Sequence, residues 1–404
     1  MSTSLLYHAW GLRGYQHDAT EYRDGNVYFN IHQPRERLCC PTCGATDVWV
    51  QGTVVREFRA VPIGRKPVFV RLPVTRVMCF ACRCVRQVHI PFADPRRHYT
   101  HAFERYALDL CHSMTIQDVA RHLGVSWDVI KDIQKRYLQR RFGKPKLHRL
   151  KQIAIDEIAV GKGHHYVTVV LNLFSGAVVF VGDGKGADAL DPFWRRLRWA
   201  RARIQAVATD MSPAYIQAVR DNLSGAIHVF DHFHVVKLFN DKLSDLRREL
   251  YHEATTKMDK QVLKGTRWLL LKNPENLDPQ RREYERLQEA LRMNAPLATA
   301  YYLKEDLRQI WEQPDQATAR CVLDDWIRRA EASGIRMLQQ FARTLALHRR
   351  GILAWYQCRI STGPLEGTNT KIQVMKRQAY GFRDKEFFKL KILGLHETKH
   401  ALVG

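Results

Sequence analysis

Asp156 is the residue that most constrains how this chain can fold, because it interrupts an otherwise apolar, strand-like run, IAIDEIAV. Burying an ionised carboxylate in such a strand is costly unless a nearby group compensates its charge, and a divalent cation shared with other carboxylates is the usual compensation. Two further acids lie in separate predicted elements. Asp210 follows the strand-like run IQAVAT, and Glu366 lies at the start of a basic helix, STGPLEGTNTKIQVMKR. The three carboxylates together predict a magnesium or manganese site suited to phosphoryl chemistry.

The segment that contains both aspartates predicts an α/β fold with a ribonuclease-H-like catalytic core. Three strands in succession, followed by alternating helices and strands, are typical of that sheet. The first and fourth strands are neighbours in this order, so Asp156 and Asp210 are expected to lie side by side. The predicted elements are strands at 153–160, 166–173 and 177–182, a helix at 187–199, a strand at 204–208, a helix at 213–222 and a strand at 227–230.

Each carboxylate also has a simpler interpretation. Glu366 is expected in the first turn of a helix with Gly363 as N-cap and Pro364 at the first helical position, where an acid can serve only the helix dipole. Asp210 could be an ordinary loop acid. Glu157 could replace Asp156 after a one-residue shift in register, because adjacent strand residues face opposite sides of a sheet.

Sequence patterns divide the chain into five segments around this core. Residues 1–95 are expected to form a zinc-binding module, and residues 96–150 a helix-turn-helix with a basic linker. The core occupies residues 151–236 and 356–404. Residues 237–355 are mostly helical in pattern and predict a helical domain inserted into the core.

Six of the nine cysteines fall between Cys39 and Cys84. Clustered thiols in a reducing compartment favour metal binding over disulfides. Two CxxC knuckles separated by strand-like runs near 54–58 and 68–72 predict a tetrahedral structural zinc site in a ribbon. Cys39 or Cys84 could replace a neighbouring ligand, and His89 is a more remote substitute. The expected ligands are Cys40, Cys43, Cys79 and Cys82.

The segment from Thr115 to Tyr137 has the spacing of a helix-turn-helix. Ala120 allows close helix approach, Gly124 permits a left-handed turn, and Ile130 fills the shared core. A plain helical hairpin is the alternative, and two aspartates of the second helix would oppose phosphate. The residues expected to contact DNA in this region are Ser126, Trp127, Lys131 and Lys135 on the second helix, and Arg140 and Arg141 in the linker.

The charge of the chain favours a polyanionic partner. Lysine and arginine outnumber aspartate and glutamate by 64 to 41, which gives a net charge of +23. Double-stranded DNA is the expected partner, with Lys371, Lys376 and Arg377 near Glu366 placed to hold its phosphates. The chain has neither a signal-peptide pattern nor an apolar run of 18 residues, so we expect a cytoplasmic protein that does not enter membranes.

The order of several motifs resembles the ISL3 family of bacterial insertion-sequence transposases, over nearly the whole chain. The blocks that carry the resemblance are CPTC, CFAC, IDEIAVGKGHHYVTVV, TDMSPAYIQAV, DHFHVVK, KGTRWLLLKNPENL and STGPLEGTNTKIQVMKRQAYGFRD. The departures are small: Cys39 and Cys84 are additional thiols, and His232 stands where the family commonly has Arg.

This resemblance implies a DDE transposase whose triad is Asp156, Asp210 and Glu366. It implies cleavage at terminal inverted repeats with two Mg²⁺ or Mn²⁺ ions, followed by joining to target DNA. Because two element ends must be cut together, a homodimer or larger assembly on DNA is expected. Asp231 and His234 also match the family pattern, either beside the metal ligands or as DNA contacts, or as an ordinary strand end.

Two other functions fit part of the sequence. A regulator built from the zinc and helix-turn-helix modules would explain the charge but leave the three carboxylates unexplained. A ribonuclease-H-like nuclease that cuts DNA without joining it would use the same carboxylates.

Overall fold

The computed structural model describes residues 5–161, 163 and 165–397. The chain forms two compact units, divided between Arg141 and Phe142. The elements that begin in the first unit are helix α1 (Leu5–Trp10), strands β1 (Gln16–Arg23), β2 (Asn26–His32), β3 (Val48–Ile63), β4 (Lys66–Cys79) and β5 (Val85–Gln87), and helices α2 (His101–Leu110), α3 (Ile116–Leu123) and α4 (Trp127–Phe142).

A long β3–β4 hairpin dominates the first unit. Both strands run well beyond the short segments predicted from the sequence, and Gly64 makes the turn with a positive φ of 60°. The sheet order is β1-β2-β4-β3, with β5 also paired to β4. At the open end of the hairpin Cys79 pairs with Val48. The hairpin therefore brings the two ends that carry the CxxC knuckles together.

Helices α3 and α4 form the helix-turn-helix that the sequence predicted. The Thr115 hydroxyl accepts a hydrogen bond from the Asp118 N–H and caps α3. Gly124 ends that helix with φ 61° and ψ 43°, the left-handed region that glycine enters at least cost. Ala120 and Ile130 are buried in the shared core with Phe103 of α2.

The second unit contains a sheet and a helical region. Its elements are strands β6 (Gln152–Ala159), β7 (Tyr166–Asn172) and β8 (Val178–Asp183), helix α5 (Asp191–Trp199), strand β9 (Ala206–Thr209), helix α6 (Pro213–Asn222), strand β10 (Ile227–Phe230), and helices α7 (His232–Glu253), α8 (Lys257–Gly265), α9 (Arg267–Leu271), α10 (Glu283–Met293), α11 (Ala295–Arg308), α12 (Gln316–Ala332), α13 (Arg336–Leu353), α14 (Gly363–Gln378) and α15 (Lys385–Leu393).

The sheet has the order β10-β9-β6-β7-β8. β6, β7 and β8 pair antiparallel, and β9 and β10 join β6 in parallel, so the predicted ribonuclease-H-like core is confirmed. One predicted helix is divided: residues 187–190 form a 3-10 turn, and α5 begins at Asp191. Pro192 explains the break, since proline fits the first turn of a helix but not its interior.

Strand β6 separates the two acids at its centre. Ile153 and Ile155 are buried in the core that α5 and α6 form against the sheet. Successive strand residues face opposite sides, so Glu157 faces the α5 and α6 side with these isoleucines, and Asp156 faces the other side. The side that Asp156 faces is the one against which α14 lies.

Helices α7 to α13 surround a core of their own, in which Phe239, Trp326 and Phe341 pack edge to face. A helical insertion was predicted in this region from residue 237, and its first helix begins earlier, at His232; the chain then returns to the sheet with α14. The N-cap of α14 is Thr362, one residue before the predicted Gly363. The shift follows from the backbone, because the Glu366 N–H already bonds to the Thr362 carbonyl. Within the described residues, no helix combines the length and apolar character needed to cross a bilayer.

Candidate functional site

Three aspartates lie in a row at one edge of the second sheet. Ala154 of β6 pairs with Ala208 of β9, and extending this parallel register by two residues sets Asp156 beside Asp210. Asp231 follows β10 and donates its N–H to the Thr209 carbonyl. The carboxyl ends of adjacent parallel strands are where α/β sheets commonly bind ligands.

Helix α14 lies along β6 and is held to it by two side-chain hydrogen bonds. Asn369 donates from Nδ2 to Asp156 Oδ2 at 2.9 Å, and Gln373 donates from Nε2 to the Ala159 carbonyl at 2.7 Å. Glu366 is exposed, one turn before Asn369 on the same side of the helix. The structure therefore brings Asp156 and Asp210 together and sets the helix of Glu366 over Asp156.

The ligand atoms of the three carboxylates do not form a closed cluster. Among the described residues, the four cysteines of the knuckles are the only group of three or more metal-binding side chains whose ligand atoms all lie within 4.8 Å of one another. The carboxylate site is thus more open than the thiol site.

Burial makes the two aspartates easier to protonate, and at Asp156 a neighbouring negative charge adds to this effect. Burial raises the pKa of Asp156, and the charge of Asp210 raises it further, while His234, the Glu157 N–H and Asn369 act in the opposite direction. Burial likewise raises the pKa of Asp210, partly offset by the Ser212 N–H, which donates to its Oδ1 at 2.9 Å. A positive ion at this edge would relieve both effects.

Asp231, Thr362 and His234 form a buried hydrogen-bonded group beside these aspartates. The Thr362 hydroxyl donates to Asp231 Oδ2 at 2.5 Å, and His234 Nδ1 lies 3.4 Å from the same oxygen. Burial alone would raise the pKa of Asp231, but hydrogen bonds from His234 and Thr362 lower it. Burial opposes protonation of His234, yet Asp231, Asp156 and Asp210 together raise its pKa.

Glu157, the alternative to Asp156, occupies the other face of the sheet. Burial raises its pKa, followed by the charge of Asp210, and Tyr215 is its hydrogen-bonding neighbour. Its Oε2 is buried, and no described residue forms a hydrogen bond with it. Glu157 is therefore a buried acid on the α6 side, separated from α14 by the sheet.

The residues at this edge fit a divalent magnesium or manganese ion. Carboxylate and amide oxygens are the ligands that these hard cations prefer. Asp156 and Asp210 supply adjacent carboxylates with raised pKa, and Asn369 Oδ1 is buried there with no hydrogen-bond partner in the part of the chain that the structure describes. A buried oxygen that lacks a donor is otherwise unfavourable, so the site is suited to a cation and its water.

The thiol cluster is geometrically closer to complete. Cys40 Sγ lies 3.5 Å from Cys82 Sγ, and Cys43 Sγ lies 3.5 Å from Cys79 Sγ. A tetrahedral zinc site with Zn–S bonds of about 2.3 Å requires sulfur atoms roughly 3.8 Å apart. The backbone N–H groups of Cys43 and Thr42 favour the thiolate and lower the pKa of Cys40 to about 6.

Cys84 lies beside this cluster, whereas Cys39 is exposed. Cys84 Sγ is 3.1 Å from Cys82 Sγ and 3.6 Å from Cys40 Sγ. Of the two extra thiols, Cys84 is therefore the one placed to substitute for a ligand.

The residues proposed to contact DNA occupy mixed surroundings. Trp127 is 41% exposed, with Lys131 Nζ 5.2 Å from its ring centroid. Ser126 accepts a hydrogen bond from the Val129 N–H at 3.4 Å and so caps α4. Asp132, which would repel phosphate, forms ion pairs with Arg97 and Arg136. These ion pairs reduce the repulsion.

The other basic residues expected to contact DNA differ in how far they already interact within the chain. Arg140 pairs with Glu104 at 3.0 Å. Lys371 and Arg377 of α14 are exposed, and Lys376 is half-buried. Lys135 and Arg141 take part in further interactions within the chain.

One residue of this site carried no clear signal in the sequence: Thr362 precedes a Gly-Pro pair and is typical of a loop residue. Asn369 did carry a signal. Its spacing of three from Glu366 places it on the polar face of the predicted helix that was expected to look at the site, although no particular role followed from that.

Comparisons with known proteins agree on one family. Residues 153–392 match the family model described as Transposase, of the ISL3 DDE type, and residues 88–138 match the helix-turn-helix domain of transposase family ISL3. The transposase for insertion sequence element IS1001 of Bordetella parapertussis is 32% identical over 97% of this chain and 98% of its own length. The transposase for insertion sequence element IS1557 of Mycobacterium tuberculosis is 28% identical over 86% of this chain and 83% of its own.

One solved structure has a weaker similarity. The Drosophila P element transposase strand transfer complex aligns with a TM-score of 0.39 and 11% identity, over 74% of this chain and 92% of that chain.

Proposed function

The chain belongs to the ISL3 family of insertion-sequence transposases, and from that premise we propose that it cleaves DNA at terminal inverted repeats and joins the ends to target DNA. Asp156, Asp210 and Glu366 are the proposed catalytic triad. The adjacency of Asp156 and Asp210 at the carboxyl edge of the sheet is the observation that carries this proposal.

The triad carboxylates would hold two Mg²⁺ or Mn²⁺ ions, which when bound supply charge neutralisation at the scissile phosphate and an activated oxygen nucleophile. The chain itself contributes alignment and electrostatics. Because Glu366 is carried by α14, whose hydrogen bonds reach β6, it is fixed relative to Asp156 although it is distant in sequence.

Asp231 and His234 would support the triad without binding metal. Asp231 accepts from Thr362, the residue that caps the helix of Glu366, and so fixes where that helix begins. His234, when protonated, favours the carboxylate forms of Asp156 and Asp210. Both roles keep the acids charged and aligned before DNA arrives.

Contact with double-stranded DNA is assigned to two regions. Ser126, Trp127, Lys131 and Lys135 would face a major groove from α4, and Arg140 and Arg141 would follow phosphates beyond it. Lys371, Lys376 and Arg377 would hold the backbone beside the triad. A zinc ion on Cys40, Cys43, Cys79 and Cys82 would hold the open end of the β3–β4 hairpin.

We propose that the protein acts on DNA in the cytoplasm. It would act as a dimer or larger assembly, because two element ends are processed together. The sequence divides into a zinc module, a helix-turn-helix, an interrupted core and a helical insertion. We propose that this division separates recognition of the element ends from the chemistry of cleavage and joining.

Incubating the protein with Mg²⁺ and linear DNA carrying the element ends tests this function. We expect cutting followed by joining to a second DNA. Cutting without joining would identify a nuclease instead. End binding with no cutting in Mg²⁺ or Mn²⁺ would identify a regulator and overturn the proposal.

A further inference from the structure

Asn369 is the side chain that connects the helix of Glu366 directly to a triad aspartate. It lies one turn after Glu366 in α14, and its Nδ2 donates to Asp156 Oδ2 at 2.9 Å. The orientation of the amide follows from its partner, because a carboxylate can only accept and must therefore face the amide nitrogen.

This hydrogen bond completes a fixed setting for Asp156. The Glu157 N–H donates to Oδ1 at 2.9 Å, and Asn369 donates to Oδ2. Two donors on different oxygens restrict the rotation of the carboxylate, while each oxygen keeps a further lone pair for a ligand. The orientation of the Asp156 carboxylate is therefore fixed, and both of its oxygens can still bind a cation.

At the other end of the Asn369 amide, Oδ1 is buried and has no hydrogen-bond partner among the described residues. Leaving a buried carbonyl oxygen unpaired is unfavourable. The oxygen belongs to the side chain that contacts Asp156, so a water brought by a cation bound to Asp156 is a candidate donor for it.

We propose that Asn369 is a positioning residue of the metal site: it orients Asp156, ties that carboxylate to the Glu366 helix, and accepts a hydrogen bond from water held by the cation. This inference rests on the proposed function, because the triad defines the site. Hydrogen-bond partners of metal ligands typically change metal affinity by about 10- to 100-fold when removed.

Gln373 provides a matched control. It lies on the same helix and donates to the same strand, but to the Ala159 carbonyl and not to a carboxylate. Losing either bond weakens the attachment of α14 to β6 by one hydrogen bond. Only Asn369 touches a proposed metal ligand.

The experiment is a calorimetric Mn²⁺ titration, without DNA, of wild type, Asn369→Ala, Asn369→Leu and Gln373→Ala. Asn369→Leu preserves side-chain volume, so at least one Asn369 variant should remain folded by circular dichroism. We expect both Asn369 variants to bind Mn²⁺ about 10-fold or more weakly and Gln373→Ala to stay within about twofold. Wild-type affinity in both Asn369 variants, or equal losses in all three, overturns the positioning role.

Cleavage of end DNA separates this inference from the proposed function. If Asp156→Asn abolishes cutting and Mn²⁺ binding while the Asn369 variants bind normally, the inference fails and the function stands. If the wild type binds Mn²⁺ and loses affinity as expected in the Asn369 variants but cuts no DNA, the function fails and the positioning role stands. A wild type that binds no Mn²⁺ overturns both.

Discussion

The thiol cluster of the first unit and the carboxylate edge of the second are both suited to metal, yet the structure prepares them differently. The four cysteine sulfurs already lie within 4.8 Å of one another. The carboxylates remain open, with Asp156 and Asp210 adjacent and Glu366 exposed. A structural site needs closed coordination, whereas a catalytic one must leave positions for water and substrate.

Charge explains much of this difference. A hydrogen bond to Cys84 raises the pKa of Cys82, so Cys82 is a neutral thiol that can lie close to the Cys40 thiolate before metal binds. The remaining protons are lost as metal binds. Ionised carboxylates repel, and burial, together with the charge of Asp210, raises the pKa of Asp156. The first site is held by local turns at the ends of one hairpin, and the second by the packing of α14 on a distant strand.

The largest expected effect is at the closed site. Replacing Cys79 with Ser removes a buried thiol of the proposed zinc site, and structural zinc contributes on the order of 10 kcal/mol to small metal-dependent folds. We expect the open end of the β3–β4 hairpin to unfold and binding to element ends to be lost, measured by hydrogen exchange and gel shift. The exposed Cys39→Ser is the control. Normal protection and end binding in Cys79→Ser, after chelation, would contradict the structural role.

The next effect is on catalysis at the open site. Asp210→Asn keeps the shape of the side chain but removes the charge that would hold a cation, so cleavage should fall by at least about 100-fold. A single-turnover assay with labelled end DNA measures the rate, and a gel shift should show retained binding. Cutting at the wild-type rate would remove Asp210 from the triad.

A smaller effect is expected at the hydrogen bond between Thr362 and Asp231, beside the triad. Thr362→Val leaves Asp231 Oδ2 without its hydroxyl donor in a buried setting, which should lower the free energy of unfolding by about 1–3 kcal/mol. Thr362→Ser keeps a hydroxyl and should lose much less. Urea unfolding at neutral pH measures the free energy of unfolding of both variants. Equal midpoints for the Val variant and the wild type would show that the hydrogen bond from Thr362 to Asp231 does not stabilise the fold.

The smallest predicted effect is a stabilisation of the metal-free protein. Because the pKa of Asp156 is raised in the folded state, the folded protein binds that proton more tightly, and stability falls as pH rises from the unfolded value through the raised folded one. Asp156→Asn removes this loss of stability, because the amide does not ionise. Its Tm should therefore be slightly higher than that of the wild type near neutral pH.

This gain should disappear below about pH 4, where the wild-type carboxyl is protonated in both states. Thermal melts in chelator across that range measure it. Added Mg²⁺ should stabilise the wild type more than the variant. An Asp156→Asn protein that melts lower than wild type at neutral pH would mean that the hydrogen bonds of Asp156 outweigh its repulsion.

Local sequence patterns predicted the helices and strands better than the tertiary contacts between them. The apolar strands, the left-handed Gly124 and the CxxC pairs each depend on neighbours in sequence, so the ribonuclease-H-like sheet and the helix-turn-helix were accessible. The N-cap of α14 was misplaced by one residue. Thr362 and Asn369 gain their roles only from partners more than a hundred residues away, and no periodicity encodes such contacts.

Mn²⁺ binding followed by electron paramagnetic resonance tests most directly whether the exposed Glu366 completes the open site. The comparison is Glu366→Gln against Glu386→Gln, which alters another exposed glutamate in the first turn of the neighbouring helix α15. We predict that Glu366→Gln weakens Mn²⁺ binding at least about 10-fold while Glu386→Gln leaves it unchanged. Equal Mn²⁺ affinity in wild type and both variants would contradict the triad.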